Sequence, residues 1–162
     1  MSVNKYLPHV FVLPEDDANR QVANGFLLEP SLIDNRIRVL EEAGGWLETI
    51  ERFCSIYAAE MDRFPDRFMI LVIDFDGKTE RLDLAKSKIP NHLSERVFII
   101  GSLKEPEDLK RELGSYETIG LAMAKDCREG TDVIWGHHQL RHNASEIGRL
   151  RAQVSSILFP PV

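Results

Sequence analysis

Cysteine is scarce in this chain, with only Cys54 and Cys127 among 162 residues. Two thiols allow at most one disulfide, too few for the several-bridge framework of a small secreted scaffold. Both fall inside amphipathic helical patterns, so the expectation is a pair of buried free thiols in a reducing, cytoplasmic setting. Long hydrophobic runs are missing as well. The longest, such as Met69-Ile70-Leu71-Val72-Ile73, have the length of a strand and fall far short of a membrane span, so no membrane association is expected. Residues Met1 to Pro8 show no basic start followed by an apolar stretch, and no signal peptide is expected there. Linkers rich in Gly or Ser, internal repeats and low-complexity tracts are absent. Positive charge is in deficit, with 20 Lys and Arg against 26 Asp and Glu, a net charge of −6. That balance argues against broad electrostatic adhesion to nucleic acid or anionic lipid. It leaves room for an enzyme acting on nucleic acid, because cations held by clustered carboxylates reverse the local charge.

What remains is an ordinary globular composition, 43% hydrophobic and 28% charged, and a length that suits one domain over 1–162. Short strand patterns alternate with helical ones. His9 to Leu13 is a β-branched and aromatic run ending at Pro14, followed by a polar helical stretch from Asp17 to Phe26. Arg36 to Leu40 alternates charged and apolar residues, as a short edge strand does. Gly44-Gly45 opens a helix whose buried stripe is Trp46, Ile50, Phe53, Tyr57 and Met61, and Pro65 ends it. Phe68 to Ile73 and Arg96 to Ile100 are apolar throughout, the mark of strands covered on both faces. Lys78 to Lys88 reads as a charged connection. Pro106 suits the first turn of a helix running to Leu113, and Ser115 can cap the next. A last helix is expected from about His138. Strands separated by helices imply right-handed crossovers. The fold class is therefore α/β, a mainly parallel sheet of about four strands flanked by helices, with a core over 9–105 and a helical extension over 106–162.

In such a sheet ligands sit at the carboxyl ends of the strands. Glu15, Asp16 and Asp17 follow the first strand, and Asp74 and Asp76 follow the third. Strand alternation puts Asp74 and Asp76 on one side of the chain, with Phe75 opposite. Two carboxylates so placed repel unless a proton or cation intervenes, and hard oxygen donors suit Mg²⁺ or Mn²⁺.

A strand ending in Glu, a helix, a strand, a helix and a strand ending in Asp-x-Asp is the order of a TOPRIM domain, which this chain resembles. The residues that carry the likeness are Glu15 in His9-Val-Phe-Val-Leu-Pro-Glu15 and the Asp pair in Ile70-Leu-Val-Ile-Asp-Phe-Asp76, within a span of about Val10 to Glu107. The chain is similar above all to small stand-alone TOPRIM-like proteins of bacterial defence and mobile-element neighbourhoods, related to the overcoming-lysogenization-defect nucleases. There a further strand leads into an acidic helix start, as in Val97-Phe-Ile-Ile-Gly-Ser-Leu-Lys-Glu-Pro-Glu107. One departure is Asp16, where that family usually carries Gly. The resemblance implies that Asp74 and Asp76 hold Mg²⁺ (or Mn²⁺) and that Glu15 binds metal or acts as general acid and base. Asp16, Asp17 and Glu107 are further acidic candidates, and Lys78 and Arg81 are candidates to meet phosphate.

Two other patterns compete. Asp74-Phe-Asp-Gly77 also looks like the first motif of haloacid-dehalogenase-type phosphatases, in which the first Asp is the nucleophile. Here Lys78 stands where that family has Thr or Val, and no acidic pair follows a later strand. In Trp135-Gly-His-His-Gln-Leu-Arg-His-Asn143, a helix would put His138 and His142 on one face, a spacing that can bind Zn²⁺. No Glu completes a His-Glu-x-x-His motif there. A functional role would have His142 or Asn143 orient a phosphate or a water beside the carboxylates.

The expectation is thus a Mg²⁺-dependent TOPRIM-like nuclease or related phosphoryl-transfer protein. Its partners would be nucleic acid and either a protein, such as an ATPase subunit of the same system, or further copies of itself. The alternatives are a non-catalytic interaction subunit of the same fold and a phosphatase. Approach of Glu15 to the Asp pair within about 4–7 Å separates enzyme from interaction subunit, because carboxylate–metal distances are near 2.0–2.6 Å.

Overall fold

The computed structural model describes residues 2–161; Met1 and Val162, the two ends of the 1–162 domain reading, lie outside the described residues. Among these residues four strands form one all-parallel sheet: β1 (His9–Pro14), β2 (Ile37–Val39), β3 (Arg67–Val72) and β4 (Val97–Ile100). Their spatial order is β2-β1-β3-β4. The register pairs Val12 with Val39 on one side of β1 and with Ile70 on the other, and Leu71 with Ile99. Strands β1 and β4 are buried along their whole length and β3 nearly so, which is why they read as apolar runs, whereas the edge strand β2 exposes Arg38.

Among the described residues seven α-helices cover the sheet: α1 (Asp17–Phe26), α2 (Trp46–Arg52), α3 (Ala58–Arg63), α4 (Arg81–Ser87), α5 (Pro106–Leu113), α6 (Tyr116–Glu129) and α7 (Ala144–Leu158). Val10, Val12, Ile70 and Phe98 point to one face and pack with Ile119, Met123, Ile147 and Val154 of the C-terminal helices. Phe11, Leu13, Leu71 and Ile99 point to the other and pack with Ile50, Phe53, Met61 and Ala85. Pleating sends alternate residues to opposite layers, so the sheet carries two cores. No helix among the described residues is long and apolar enough to cross a membrane.

Three local readings need correction. The segment 78–88 is not only a connection, because α4 occupies Arg81–Ser87 and buries Ala85. Its one buried position offers too little apolar periodicity to announce a helix. Cys54 is exposed and only Cys127 is buried, both as free thiols. The helix begun at Trp46 passes through a π-helical turn at Phe53–Tyr57 before continuing as α3, and the extra residue in that turn is taken up on the outer side, where Cys54, Ser55 and Ile56 lie. The last helix starts at Ala144, so His138 precedes it in a turn. Asn143 sets that start: its amide donates to Gly101 O (2.9 Å) and its Oδ1 accepts from Gly101 N (3.1 Å), locking the chain before the helix begins. Gly101 itself is forced, since a Cβ there would lie 1.6 Å from Ile73 O.

Candidate metal centre

Strand order decides where a site can form. The chain leaves β1 for β2 on one side and returns through β3 on the other, so the connections diverge between β1 and β3. That crevice, beyond the carboxyl ends of the strands, is where ligands bind in open α/β sheets. The β1–β3 ladder runs to its very edge, with Glu15 N donating to Val72 O at 2.8 Å.

Glu15 and Asp74 face each other there. Glu15 Oε2 accepts the Asp74 backbone N–H at 2.6 Å. Asp16 caps α1, its Oδ1 accepting from Asn19 N at 2.9 Å. One ligand oxygen from each of Glu15, Asp16 and Asp74 lies within 4.8 Å of the others, all three residues half-buried. The approach of Glu15 to Asp74 falls inside the range required for a shared ion. Asn19, a buried residue that the sequence pattern passed over as part of a polar helix, donates Nδ2 to Asp74 Oδ1 at 3.0 Å. A polar residue one turn into the helix after an acidic strand end was the only signal that could have flagged it.

The electrostatics follow from this crowding. Burial raises the Asp74 carboxyl to about 7; the Asn19 amide works against that rise, while the Glu15 and Asp16 charges add to it. Burial raises Glu15 as well, opposed by the Asp74 N–H and by the Arg81 cation. Near neutral pH the metal-free site therefore holds a proton that a divalent cation would displace. Three hard oxygen donors and no nitrogen or sulfur fit Mg²⁺ or Mn²⁺ in this donor set. The N-terminus of α1, aimed at the same crevice, relieves part of the negative charge.

The remaining sequence candidates divide. Arg81 belongs to the site: its Nη1 donates to Asp74 O at 2.7 Å and its guanidinium stacks over Trp46 with 4.4 Å to the ring centre. Glu107 is exposed on the first turn of α5, close enough for its charge, with those of Asp16 and Asp74, to raise the Tyr116 phenol beyond what burial does. Asp17 faces solvent and pairs with Arg20 and Gln21. Lys78 is exposed. Asp76 does not join the three-carboxylate group. Its φ of 51° turns the chain left-handed immediately after buried Phe75, so the alternation that would align it with Asp74 ends there.

The 135–143 segment also departs from expectation. His138 and His142 do not share a helical face. His138 bonds Glu112, whereas His142 sets its ring edge-on against Phe75, centres 4.9 Å apart. Both His142 nitrogens are buried without a partner, the Gly101 backbone lying nearby but out of hydrogen-bond geometry, and burial lowers its pKa. Asn143 is consumed by Gly101 and by Leu140 O, leaving its amide nothing to offer a phosphate or water. No family model, curated protein or solved structure matches this chain.

Proposed function

We propose that the crevice between β1 and β3 binds Mg²⁺ or Mn²⁺ through Glu15, Asp74 and Asp16, and that the protein is a TOPRIM-like, metal-dependent phosphodiesterase acting on nucleic acid. The observation that carries this reading is the convergence of three carboxylates at the switch point of the sheet. A bound ion would orient a phosphodiester and stabilise charge on the attacking and leaving oxygens. Glu15 and Asp74 hold the ion, Asn19 fixes the Asp74 carboxyl, and Arg81 fixes the loop behind it. With a net charge of −6 the chain has little general attraction for nucleic acid, so the reading includes a protein partner, such as an ATPase subunit, or further copies of the chain, in a defence or mobile-element system.

A second reading, a non-catalytic interaction subunit, draws on two observations. Asp76 stands outside the group, and Glu15 already spends one oxygen on the Asp74 backbone. The Glu15→Gln variant separates the readings, since glutamine can still accept the Asp74 N–H while losing the charge. The expected result is loss of Mg²⁺- or Mn²⁺-dependent cleavage of DNA or RNA with the fold intact. Phosphatase activity on small phosphomonoesters that survives Glu15→Gln would instead favour the dehalogenase-type reading, with Asp74 as nucleophile. Absence of any metal response in the wild type would leave the interaction subunit standing.

A further inference from the structure

A second group of metal-ligating side chains lies apart from the acidic crevice. Glu112, on the last turn of α5, meets two consecutive histidines of the turn before α7. His137 Nε2 and His138 Nε2 approach the same Glu112 Oε2, at 2.7 and 2.9 Å. The two imidazoles stack with centres 4.3 Å apart, and the three ligand atoms lie within 4.8 Å of one another. We propose that Glu112, His137 and His138 form a binding site for a first-row transition cation, Zn²⁺ first among them, with two nitrogen ligands and one oxygen ligand.

The donor set argues for this cation class. Imidazole nitrogen suits Zn²⁺, Ni²⁺ and Cu²⁺ and is a poor ligand for Mg²⁺ or Ca²⁺. Three protein ligands are what Zn²⁺ takes when one position stays open to water, and the exposure of Glu112 and His138 leaves that position accessible. Ligand atoms around a tetrahedral Zn²⁺ stand roughly 3.4 Å apart, given bonds near 2.0–2.2 Å. The Glu112 carboxylate needs to retreat by only about half an ångström to admit the ion, and it sits on a flexible, exposed side chain.

The turn is held ready by its own backbone. Asp126 Oδ2 accepts from Ile134 N and Trp135 N, Gln139 O accepts from Leu103 N, and Leu140 N and Arg141 N both donate to His137 O. One interaction opposes binding. Gln139 N donates to His137 Nδ1 at 3.1 Å, so the metal-free ring carries its proton on Nε2. Metal binding at Nε2 must move that proton to Nδ1 and release Gln139. A bound ion would fasten α5 to the turn ahead of α7.

The test is equilibrium dialysis of the whole chain against micromolar Zn²⁺ at neutral pH, in a Cys54→Ser background that removes the exposed thiol. One Zn²⁺ per chain is expected at neutral pH. It should survive Asp74→Asn, which disables the acidic crevice, and be lost in both His138→Ala and Glu112→Gln. Removal of a direct ligand should cost more than the roughly 10–100-fold that loss of a supporting hydrogen bond costs. A wild type that retains no Zn²⁺, or a His138→Ala variant that retains it as tightly, overturns the site. So does Zn²⁺ binding that disappears with Asp74→Asn alone. Circular dichroism of each variant shows that its fold is intact, and both His138 and Glu112 are exposed enough to be replaced without disturbing the core.

Discussion

Asp74 links the chemistry of the crevice to the stability of the fold, and Asp74→Asn puts that link to the test. In the unfolded chain this carboxyl titrates at its ordinary 3.8, and in the folded, metal-free protein it is raised to about 7. The folded state therefore keeps a proton that the unfolded state has already lost. The resulting penalty on folding is absent below pH 3.8, grows between there and pH 7, and is complete above. At 1.36 kcal/mol per pH unit the full difference is about 4 kcal/mol. The Asp74 side chain is only half-buried and water reaches part of the carboxyl, so about 2 kcal/mol is the figure expected in practice. Asparagine keeps the oxygen that accepts from Asn19 and presents an amide where the protonated acid would face Asp16. In metal-free buffer at pH 8 the variant should be more stable than the wild type, with Tm raised by roughly 4–8 °C for a chain of this length. At pH 4 the two should coincide. Mg²⁺ narrows the advantage: at tenfold excess over its Kd an ion bound only to the folded wild type adds about 1.4 kcal/mol, and the variant gains little. Differential scanning calorimetry at both pH values, with and without Mg²⁺, reads all of this. A variant less stable than wild type in metal-free buffer at pH 8 would refute the crowding argument. An equal Mg²⁺ response in both proteins would refute Asp74 as a ligand.

Two further outcomes follow from the packing. Arg67 is wholly enclosed at the start of β3, bonded to Glu60 (2.8 Å) and His9 Nε2 (2.9 Å) and laid over the Phe11 ring at 4.0 Å; Arg67→Ala should cost about 3–5 kcal/mol in urea unfolding, and a loss under 1 kcal/mol would show the charge to be dispensable. Gly120 of α6 lets α1 approach so closely that a Cβ would meet Val22 O at 1.9 Å; Gly120→Ala should cost about 1–3 kcal/mol and, by displacing the helix that carries Asn19, weaken the Mg²⁺-induced rise in Tm, which a pure surface effect would leave unchanged.

Local pattern explains what could be read early. A run such as Phe68–Ile73 is apolar on both faces whatever its neighbours are, so β1, β3 and β4 and their parallel arrangement were legible. Ser115 and Pro106 mark helix starts through their own side chains, and both helices begin where those residues predict. The failures share a different cause. Alignment of Asp76 with Asp74 requires the strand to continue, but a left-handed bend follows Phe75. A shared face for His138 and His142 requires the helix to have begun, but the Asn143–Gly101 clamp delays it to Ala144. In both cases a contact with a distant or irregular segment overrode the local period.

The sequence by itself determined the class of fold, because period and apolar run length are properties of short segments. It also singled out Glu15 and Asp74 as acids at strand ends. That these two touch, with Asp16 and Asn19 beside them, was decided by tertiary structure alone. Residues 59 apart in the chain meet because β1 takes β3 as its neighbour, a choice made by burial of both sheet faces and not by any local signal. The same holds for Glu112 with His137 and His138, which α5 and the turn before α7 bring together only once the core beneath the C-terminal helices has closed.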